Sequence, residues 1–214
     1  MPVSRLNIAL SRSELVMPET GDIAVFRARP DFDYSSFPVD RLHLFNSFRP
    51  DHDRLKARYP GPTRVAADMD EQGRFSLALV HVTRSKAETL GLIARALLAL
   101  EVGGVLVVDG ARTDGIDSIL KQCRAQLQLA GSFAKHHGRL FWMTVPADMP
   151  DTISSWRAAL APSPNADGFQ SAPGMFSPAR ADPGSILLAG HFDTRMGGEV
   201  ADLGAGWGGW PHKP

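Results

Sequence analysis

The stretch FSLALVHVTRSKAETLGLIARALLALEVGGVLVV, residues 75–108, places two apolar runs on either side of a segment with helical periodicity. Phe75 to Val82 is nearly continuous apolar sequence, which is typical of a strand buried on both faces of a sheet. Leucine and isoleucine side chains between residues 90 and 98 follow at helical spacing, and residues 105–108 form a second apolar run. Two parallel strands joined by one helix predict an α/β sheet.

The limits of this helix are marked by residues with known preferences for helix ends. Ser85 and Glu88 have the spacing of a capping box, in which the hydroxyl caps the helix and Glu88 reaches back to the free backbone amides. Gly103 and Gly104 are predicted to end the helix before the second strand.

Weaker signals on both sides extend the same alternation of strands and helices. The predicted strands are residues 23–27, 41–45, 64–67, 131–135 and 139–145, and the predicted helices are residues 51–59, 116–127 and 151–160. The two strands at 131–145 are predicted to form an antiparallel hairpin around His136-His137-Gly138. The fold class predicted for residues 1–160 is therefore α/β, a Rossmann-like sheet with flanking helices.

The composition narrows the class of protein. The chain has 214 residues with 23 Lys and Arg against 23 Asp and Glu, so its net charge gives no global attraction to nucleic acid. Its single cysteine, Cys123, excludes a disulfide framework and is predicted to lie on the apolar stripe of its helix. The seven histidines lack ligand spacing, so no metal site is predicted. No signal peptide or membrane span is indicated, and a cytoplasmic location is expected.

The amino-acid composition of the sequence changes at Ala161. Proline and glycine crowd residues 161–184, which predicts a linker. A short helix over residues 185–189 and a strand then lead into Asp202-Leu203-Gly204-Ala205-Gly206. Such a glycine-rich turn lets a ligand lie against bare main chain. The predicted organisation is thus residues 1–160, a linker over 161–184, and the start of a second domain over 185–214. The alternative for the last segment is a glycine-rich frayed terminus.

Three motifs in the last fifty residues carry a resemblance to a known family. Gly-x-Phe-Ser ends at Ser177, Asp-x-Gly-Ser begins at Asp182, and Val-x-Asp-Leu-Gly-x-Gly-x-Gly begins at Val200. Together they resemble the start of the catalytic half of the ribosomal RNA small subunit methyltransferases of type C. Members of this family are class I methyltransferases that act on guanine N2. Members of that family have a degenerate N-terminal domain followed by a domain that binds S-adenosylmethionine. Residues 1–160 resemble the degenerate half, so the resemblance implies that the second domain is truncated.

The resemblance also implies roles for individual residues. Asp202, Gly204 and Gly206 correspond to the loop that holds the methionine and ribose parts of the cofactor. Phe176 and Asp182 fall in the segment that folds over that site. The residues themselves leave alternatives open, because Phe176 also fits core packing and Asp182 also fits a helix cap ahead of Gly184.

One family motif is absent. Active members hold the target amine with an Asn-Pro-Pro-aromatic motif, which occurs nowhere in this sequence. No catalytic residue is therefore assigned, and the chain is expected to be inactive alone. The first domain has no glycine loop of its own after its predicted strands, so it is not expected to bind the cofactor.

A basic segment indicates how RNA would be bound. No acidic residue occurs between Asp117 and Asp148. If the helix and the hairpin lie side by side, four cations form one face that would contact the phosphates of ribosomal RNA. They are Lys121, Arg124, Lys135 and Arg139. The alternative is an ordinary solvated face.

Three functions follow in order of preference. The first is S-adenosylmethionine-dependent methylation of a guanine amine in ribosomal RNA. The second is a non-catalytic RNA-binding or assembly module built on a methyltransferase fold without catalytic activity. The third is a dinucleotide-dependent oxidoreductase, since Gly204, Gly206 and Gly209 also satisfy G-x-G-x-x-G.

Overall fold

The computed structural model describes residues 4–69 and 74–191. The chain divides into two compact units, Met1–Ala159 and Leu160–Pro214. Among the described residues, none of the helices has the length and apolarity needed to cross a membrane.

A seven-stranded sheet forms the centre of the first unit. Its strands are β1 (Asp22–Phe26), β2 (Leu42–Phe45), β3 (Arg64–Ala66), β4 (Phe75–His81), β5 (Leu100–Ala111), β6 (Gly131–Lys135) and β7 (Gly138–Thr144). The order across the sheet is β3-β2-β1-β4-β5-β7-β6. The first five strands are parallel, and β7 is antiparallel to both β5 and β6. The Rossmann-like sheet predicted from the sequence is confirmed.

In the described part of the first unit, five α-helices cover the two faces of this sheet. They are α1 (Arg5–Ser11), α2 (Arg49–Arg58), α3 (Lys86–Ala99), α4 (Ile116–Gln126) and α5 (Thr152–Ala158). Side chains alternate between the two faces of a strand, so β4 contributes Leu77 and Leu79 to the core under α1 and α2. Its Ala78 and Val80 lie in the other core, under α3, α4 and α5. Burial on both faces explains why five of the seven residues of β4 are apolar, the exceptions being Ser76 and His81.

The predicted start of α3 is correct, but its predicted end is not. The Ser85 hydroxyl caps the helix by accepting a hydrogen bond from the Glu88 amide at 3.3 Å. The Glu88 carboxylate does not complete the capping box, because it pairs with Arg27 on another element. The helix ends at Ala99 rather than at Gly103, because the chain is already extended at Leu100, where β5 begins.

The predicted antiparallel hairpin is present at the end of the sheet. Strands β6 and β7 pair with Lys135 opposite Gly138, so only two residues form the turn. Those residues, His136 and His137, both have a positive φ, of 51° and 53°.

The second unit is described as far as residue 191. It contains the short hairpin of β8 (Ser163–Pro164) and β9 (Gln170–Ser171), followed by α6 (Pro183–Ala189). The helix predicted over residues 185–189 is therefore present. The strand and glycine loop predicted after it lie outside the described residues, and the predicted boundaries at residues 160 and 184 stay a prediction.

Candidate functional sites

Ligands of open α/β sheets bind at the carboxyl ends of the strands where the strand order reverses. In the first unit this point lies between β1 and β4. Arg27, directly after β1, has a φ of 54° and donates through Nε to Glu88 Oε1 at 2.9 Å, with a second contact from Nη2. Arg29 donates through Nη2 to the Val82 carbonyl at 2.8 Å. The chain's own side chains thus bridge the crevice between the two strands.

The loop after β1 is also held from β2. Asn46 donates through Nδ2 to the Ala28 carbonyl at 2.9 Å, and its Oδ1 accepts from the Phe48 amide at 2.8 Å. Residues 27–30 contain no glycine, so no bare main chain faces the crevice. The loop after β1 thus lacks the glycine-rich main chain that holds a nucleotide-type cofactor in this fold, and the absence of cofactor binding by the first unit stays a prediction.

Behind this crevice lies a buried polar cluster of Arg5, Tyr34, His81 and Asp109. The Tyr34 hydroxyl lies 3.0 Å from His81 Nε2 and accepts a hydrogen bond from the Arg29 amide at 2.8 Å. Arg5 Nε and Nη2 donate to the two Asp109 carboxylate oxygens at 2.7 and 3.1 Å. His81 Nδ1 is 3.8 Å from Asp109 Oδ2, too far for a hydrogen bond, and it has no hydrogen-bond partner.

Burial controls the protonation of this cluster. It lowers the pKa of His81 well below the ordinary 6.5, and the nearby Arg29 and Arg5 lower it further. Burial also raises the pKa of Asp109, although Arg5 opposes the shift. His81 is therefore neutral near pH 7, and its contact with Asp109 is not an ion pair. Tyr34, His81 and Asp109 are all buried, so the cluster stabilises the fold and offers no access to a substrate.

The predicted basic residues are distributed over two faces. Along α4, Lys121 is exposed, and Arg124 donates through Nη2 to Ser132 Oγ of β6 at 3.2 Å. Arg139 of β7 donates through Nε to Asp117 Oδ1 at 2.9 Å, so its charge is already paired with the first turn of α4. Arg124 and Arg139 thus connect α4 to the hairpin, and Lys121 lies on the same helix.

Lys135 lies on the other face of the hairpin. Register places Phe133 opposite Leu140, which belongs to the core under α1, and Lys135 shares the face of Phe133 because side chains alternate. On that side the Arg12 guanidinium lies 5.4 Å from the centre of the Phe133 ring. The prediction that all four cations form one face is therefore wrong, and their role in RNA binding stays a prediction.

In the second unit, Asp182 is the N-cap of α6. Its Oδ2 accepts from the Ser185 amide at 3.0 Å, which is the helix-cap alternative considered from the sequence. Phe176 is 72% exposed, so the core-packing alternative does not hold for it. Asp202, Gly204 and Gly206 lie outside the described residues. Within residues 4–69 and 74–191, no group of three or more His, Cys, Asp or Glu side chains is arranged to hold a metal ion.

Sequence reasoning missed the buried polar cluster. His81 is the last residue of β4, and Asp109 directly follows the apolar run 105–108 of β5, so a polar residue after an apolar run was the available signal. Arg5 gave no signal of its own, because its partner lies 104 residues away.

Solved structures show the fold to which the chain belongs. A 16S rRNA methyltransferase from T. thermophilus, in complex with AdoMet and guanosine, superposes with a TM-score of 0.60 at 19% identity. The match covers 82% of this chain and 48% of that one. An rRNA methylase from Streptococcus thermophilus gives a TM-score of 0.50 at 15% identity, over 68% of this chain and 99% of its own. The fold is that of the class I methyltransferases.

Sequence comparison then identifies the family. The Methyltransferase small domain model matches residues 167–210. A ribosomal RNA small subunit methyltransferase C from Pseudomonas paraeruginosa is 33% identical over 162 residues, which is 72% of this chain and 47% of that protein. The chain is thus a relative of ribosomal RNA small subunit methyltransferase C, as its motifs predicted. It spans about half the length of the curated relatives that it matches.

Proposed function

We propose that this chain is part of an S-adenosylmethionine-dependent methyltransferase that modifies a guanine exocyclic amine of ribosomal RNA in the cytoplasm. In this proposal the first unit binds RNA, and the second begins the cofactor site. The observation that carries it is the methyltransferase match over residues 167–210, which follows a methyltransferase-like unit whose own crevice is bridged by Arg27 and Arg29. A unit without a glycine-rich cofactor loop is suited to substrate binding and support rather than catalysis.

The proposed cofactor residues have chemistry that fits the ligand. When bound, S-adenosylmethionine supplies a methyl group carried on a sulfonium centre. The backbone amides at Gly204 and Gly206 would donate to its polar groups, and the Asp202 carboxylate suits its positive charge. Phe176, which is already exposed, would cover the bound ligand and exclude water. Asp182 would act by fixing the start of α6, since its carboxylate is already used by Ser185.

The proposed RNA residues are Lys121, Arg124 and Arg139 on the α4 side of the hairpin and Lys135 on the opposite side. Cations of this kind bind phosphate and would make the affinity fall steeply with salt. Ribosomal RNA or a ribosomal subunit is the proposed partner, in agreement with the names of the relatives.

Calorimetry of the full chain with S-adenosylmethionine tests the cofactor half of this proposal. We expect binding that is lost in the double variant Gly204→Val/Gly206→Val, because the branched side chains would block the approach to the main chain. Asp182→Asn keeps an oxygen that can cap α6, whereas Asp182→Ala removes it. Equal loss of binding in both would mean that the carboxylate contacts the ligand and would contradict the supporting role given to Asp182.

A methyl-transfer assay tests the catalytic half. We expect that the chain alone transfers no labelled methyl group to ribosomal RNA, because the Asn-Pro-Pro motif that holds the target amine in the family is absent. Incorporation of label above a heat-inactivated control would overturn this expectation.

A non-catalytic RNA-binding or assembly module is the second candidate. The arginine contacts across the crevice between β1 and β4 and the lack of glycine in residues 27–30 favour it, because a unit without a cofactor loop can still bind RNA. Salt-sensitive RNA binding by a chain that gives no calorimetric signal with S-adenosylmethionine would select this candidate. Binding of NAD in the same calorimeter would instead select the third candidate, a dinucleotide-dependent oxidoreductase.

A further inference from the structure

The turn between β6 and β7 is held in an unfavourable backbone conformation. Two-residue hairpin turns with positive φ at both central positions strongly favour Asn-Gly, because most side chains are strained there. Here both positions are histidines, His136 and His137, at φ 51° and 53°. Such conformations persist where the surrounding structure fixes them, and they cluster at functional sites.

Two neighbouring elements fix this turn. Arg5 Nη1 of α1 donates to the carbonyls of Lys135 and His136 at 3.2 and 3.4 Å, and the Arg112 amide donates to the His137 carbonyl at 3.0 Å. Arg5 is itself fixed by its two contacts with Asp109. Gly138 completes the arrangement, because a Cβ there would lie 2.4 Å from Arg5 Nη1.

The side chains of this turn are left for other contacts. Lys135, His136 and His137 are all exposed. In the described part of the chain, Lys135 has no carboxylate partner, because the nearby acids pair elsewhere: Asp109 with Arg5, and Asp117 with Arg139. The turn lies opposite Ala111 at the carboxyl end of β5, so it belongs to the edge of the sheet at which ligands of this fold class bind.

We propose that the turn of residues 135–138 is a pre-formed contact element for RNA, and that Arg5 is the residue that positions it. The proposal rests on the proposed function, since it assumes that the first unit binds RNA. A fixed backbone presents one ammonium group and two imidazole rings together, and it loses little conformational freedom on binding. Lys135 would contact a phosphate, and the two rings would stack on bases of an unpaired RNA loop, where histidine is one of the side chains that recognise splayed bases.

The test of the rings uses a variant that preserves the turn. His136→Asn together with His137→Gly gives the sequence that this turn geometry prefers, so folding is retained or improved. Affinity of the full chain for a fluorescein-labelled stem–loop RNA is measured by anisotropy. We expect at least about five-fold weaker binding, because stacking of a base on an aromatic ring is worth that much or more. Lys135→Ala should make the slope of log affinity against log salt concentration less steep, by about the amount that one phosphate contact contributes.

The role of Arg5 is tested with Arg5→Lys, which keeps a charge beside Asp109 but lacks the fork that reaches two carbonyls. We expect faster amide hydrogen exchange in residues 135–138 and weaker RNA binding. The Asn-Gly turn keeps its conformation without support from Arg5. In that variant, Arg5→Lys should therefore change neither the amide hydrogen exchange of residues 135–138 nor the affinity for RNA. A purely structural role of Arg5 would give the same losses in both backgrounds and would overturn its positioning role.

The outcomes separate the two proposals. Wild-type chain that does not bind the stem–loop RNA would contradict RNA binding by the first unit and the role of the turn together. RNA binding that is unchanged in both the Asn-Gly variant and Lys135→Ala would overturn the role of the turn alone. A loss that is equally large for an acidic polypeptide such as polyglutamate would assign the turn to a protein partner and would also overturn the RNA proposal for it.

Discussion

Arg5 and Asp109, 104 residues apart in the sequence, form a two-contact ion pair that joins α1 to the end of β5. The Arg5 and Asp109 side chains are only 13% and 3% exposed. Burial raises the pKa of Asp109, and Arg5 opposes that shift, so the pair favours the charged form of the carboxyl group.

Removing Arg5 should destabilise the first unit strongly. Arg5→Met leaves Asp109 as a buried carboxylate without its partner, for which the expected loss is about 3–5 kcal/mol in the free energy of unfolding. Urea denaturation followed by circular dichroism measures it. Arg12→Met, at the opposite end of the same helix, is the control, because its ion pair with Glu14 is exposed and contributes at most about 1 kcal/mol. Equal losses in the two variants would contradict this account.

The buried neutral His81 should make the protein less stable in mild acid. Its pKa in the folded state is well below 6.5, so below that pH the unfolded chain binds a proton that the folded chain excludes. The unfolded state then binds more protons, and the free energy of unfolding falls as pH falls, by up to about 1.4 kcal/mol per pH unit for one group. Urea midpoints at neutral pH and at about one unit below the ordinary histidine pKa measure the slope.

His81→Gln serves as the control for that slope. The lowered pKa of His43 also makes the folded state less stable as pH falls. The raised pKa of Asp109 acts in the opposite direction, because its contribution to stability is lost as pH rises above 3.8. Both groups remain in the variant, so the difference between its slope and that of the wild type isolates His81. A variant with the wild-type slope would show that His81 is not the titrating group.

The sheet was predictable because its signals are local. Burial on both faces requires the apolar run of β4, and the Ser85 cap is read from residues adjacent to it. Helix α1 was not predicted from the sequence, and its seven residues are fewer than an isolated helix needs in water. Its formation depends on Leu6 and Ala9 packing into the core and on Arg5 pairing with Asp109.

The positions of charged side chains on the surface were less predictable, because strand register determines the face of the sheet on which each side chain lies. The composition of residues 118–147 shows an excess of cations, but only the pairing of Phe133 with Leu140 determines that Lys135 lies away from α4. In the same way, the capping-box pattern could not reveal that Glu88 pairs with Arg27, which lies 61 residues earlier.

Asp117 should weaken RNA binding by neutralising Arg139. Asp117→Asn removes the carboxylate that lies 2.9 Å from Arg139 Nε, so we expect tighter RNA binding and a salt dependence that is steeper by about one phosphate contact. Lys121→Gln/Arg124→Gln should act in the opposite direction, with a loss of about two contacts. Both are measured by anisotropy over a salt series. Opposite or absent changes in the slope would show that this side of the hairpin does not contact RNA.

Cys123 should report unfolding of α4 and its core. It is the only cysteine in the sequence, it is buried, and burial raises the pKa of its thiol to about 12. Thiolate is the reactive form, so the native protein should react with Ellman's reagent at neutral pH only through unfolding, and in strong urea one thiol should react at once. Leu120→Ala removes a core neighbour on the same helix face and should speed the native reaction, because a truncated core leucine destabilises by about 2–5 kcal/mol. The exposed Leu187→Ala should leave the rate unchanged. Rapid reaction of the native wild type would contradict the burial of Cys123 and, with it, the packing of α4 against the sheet.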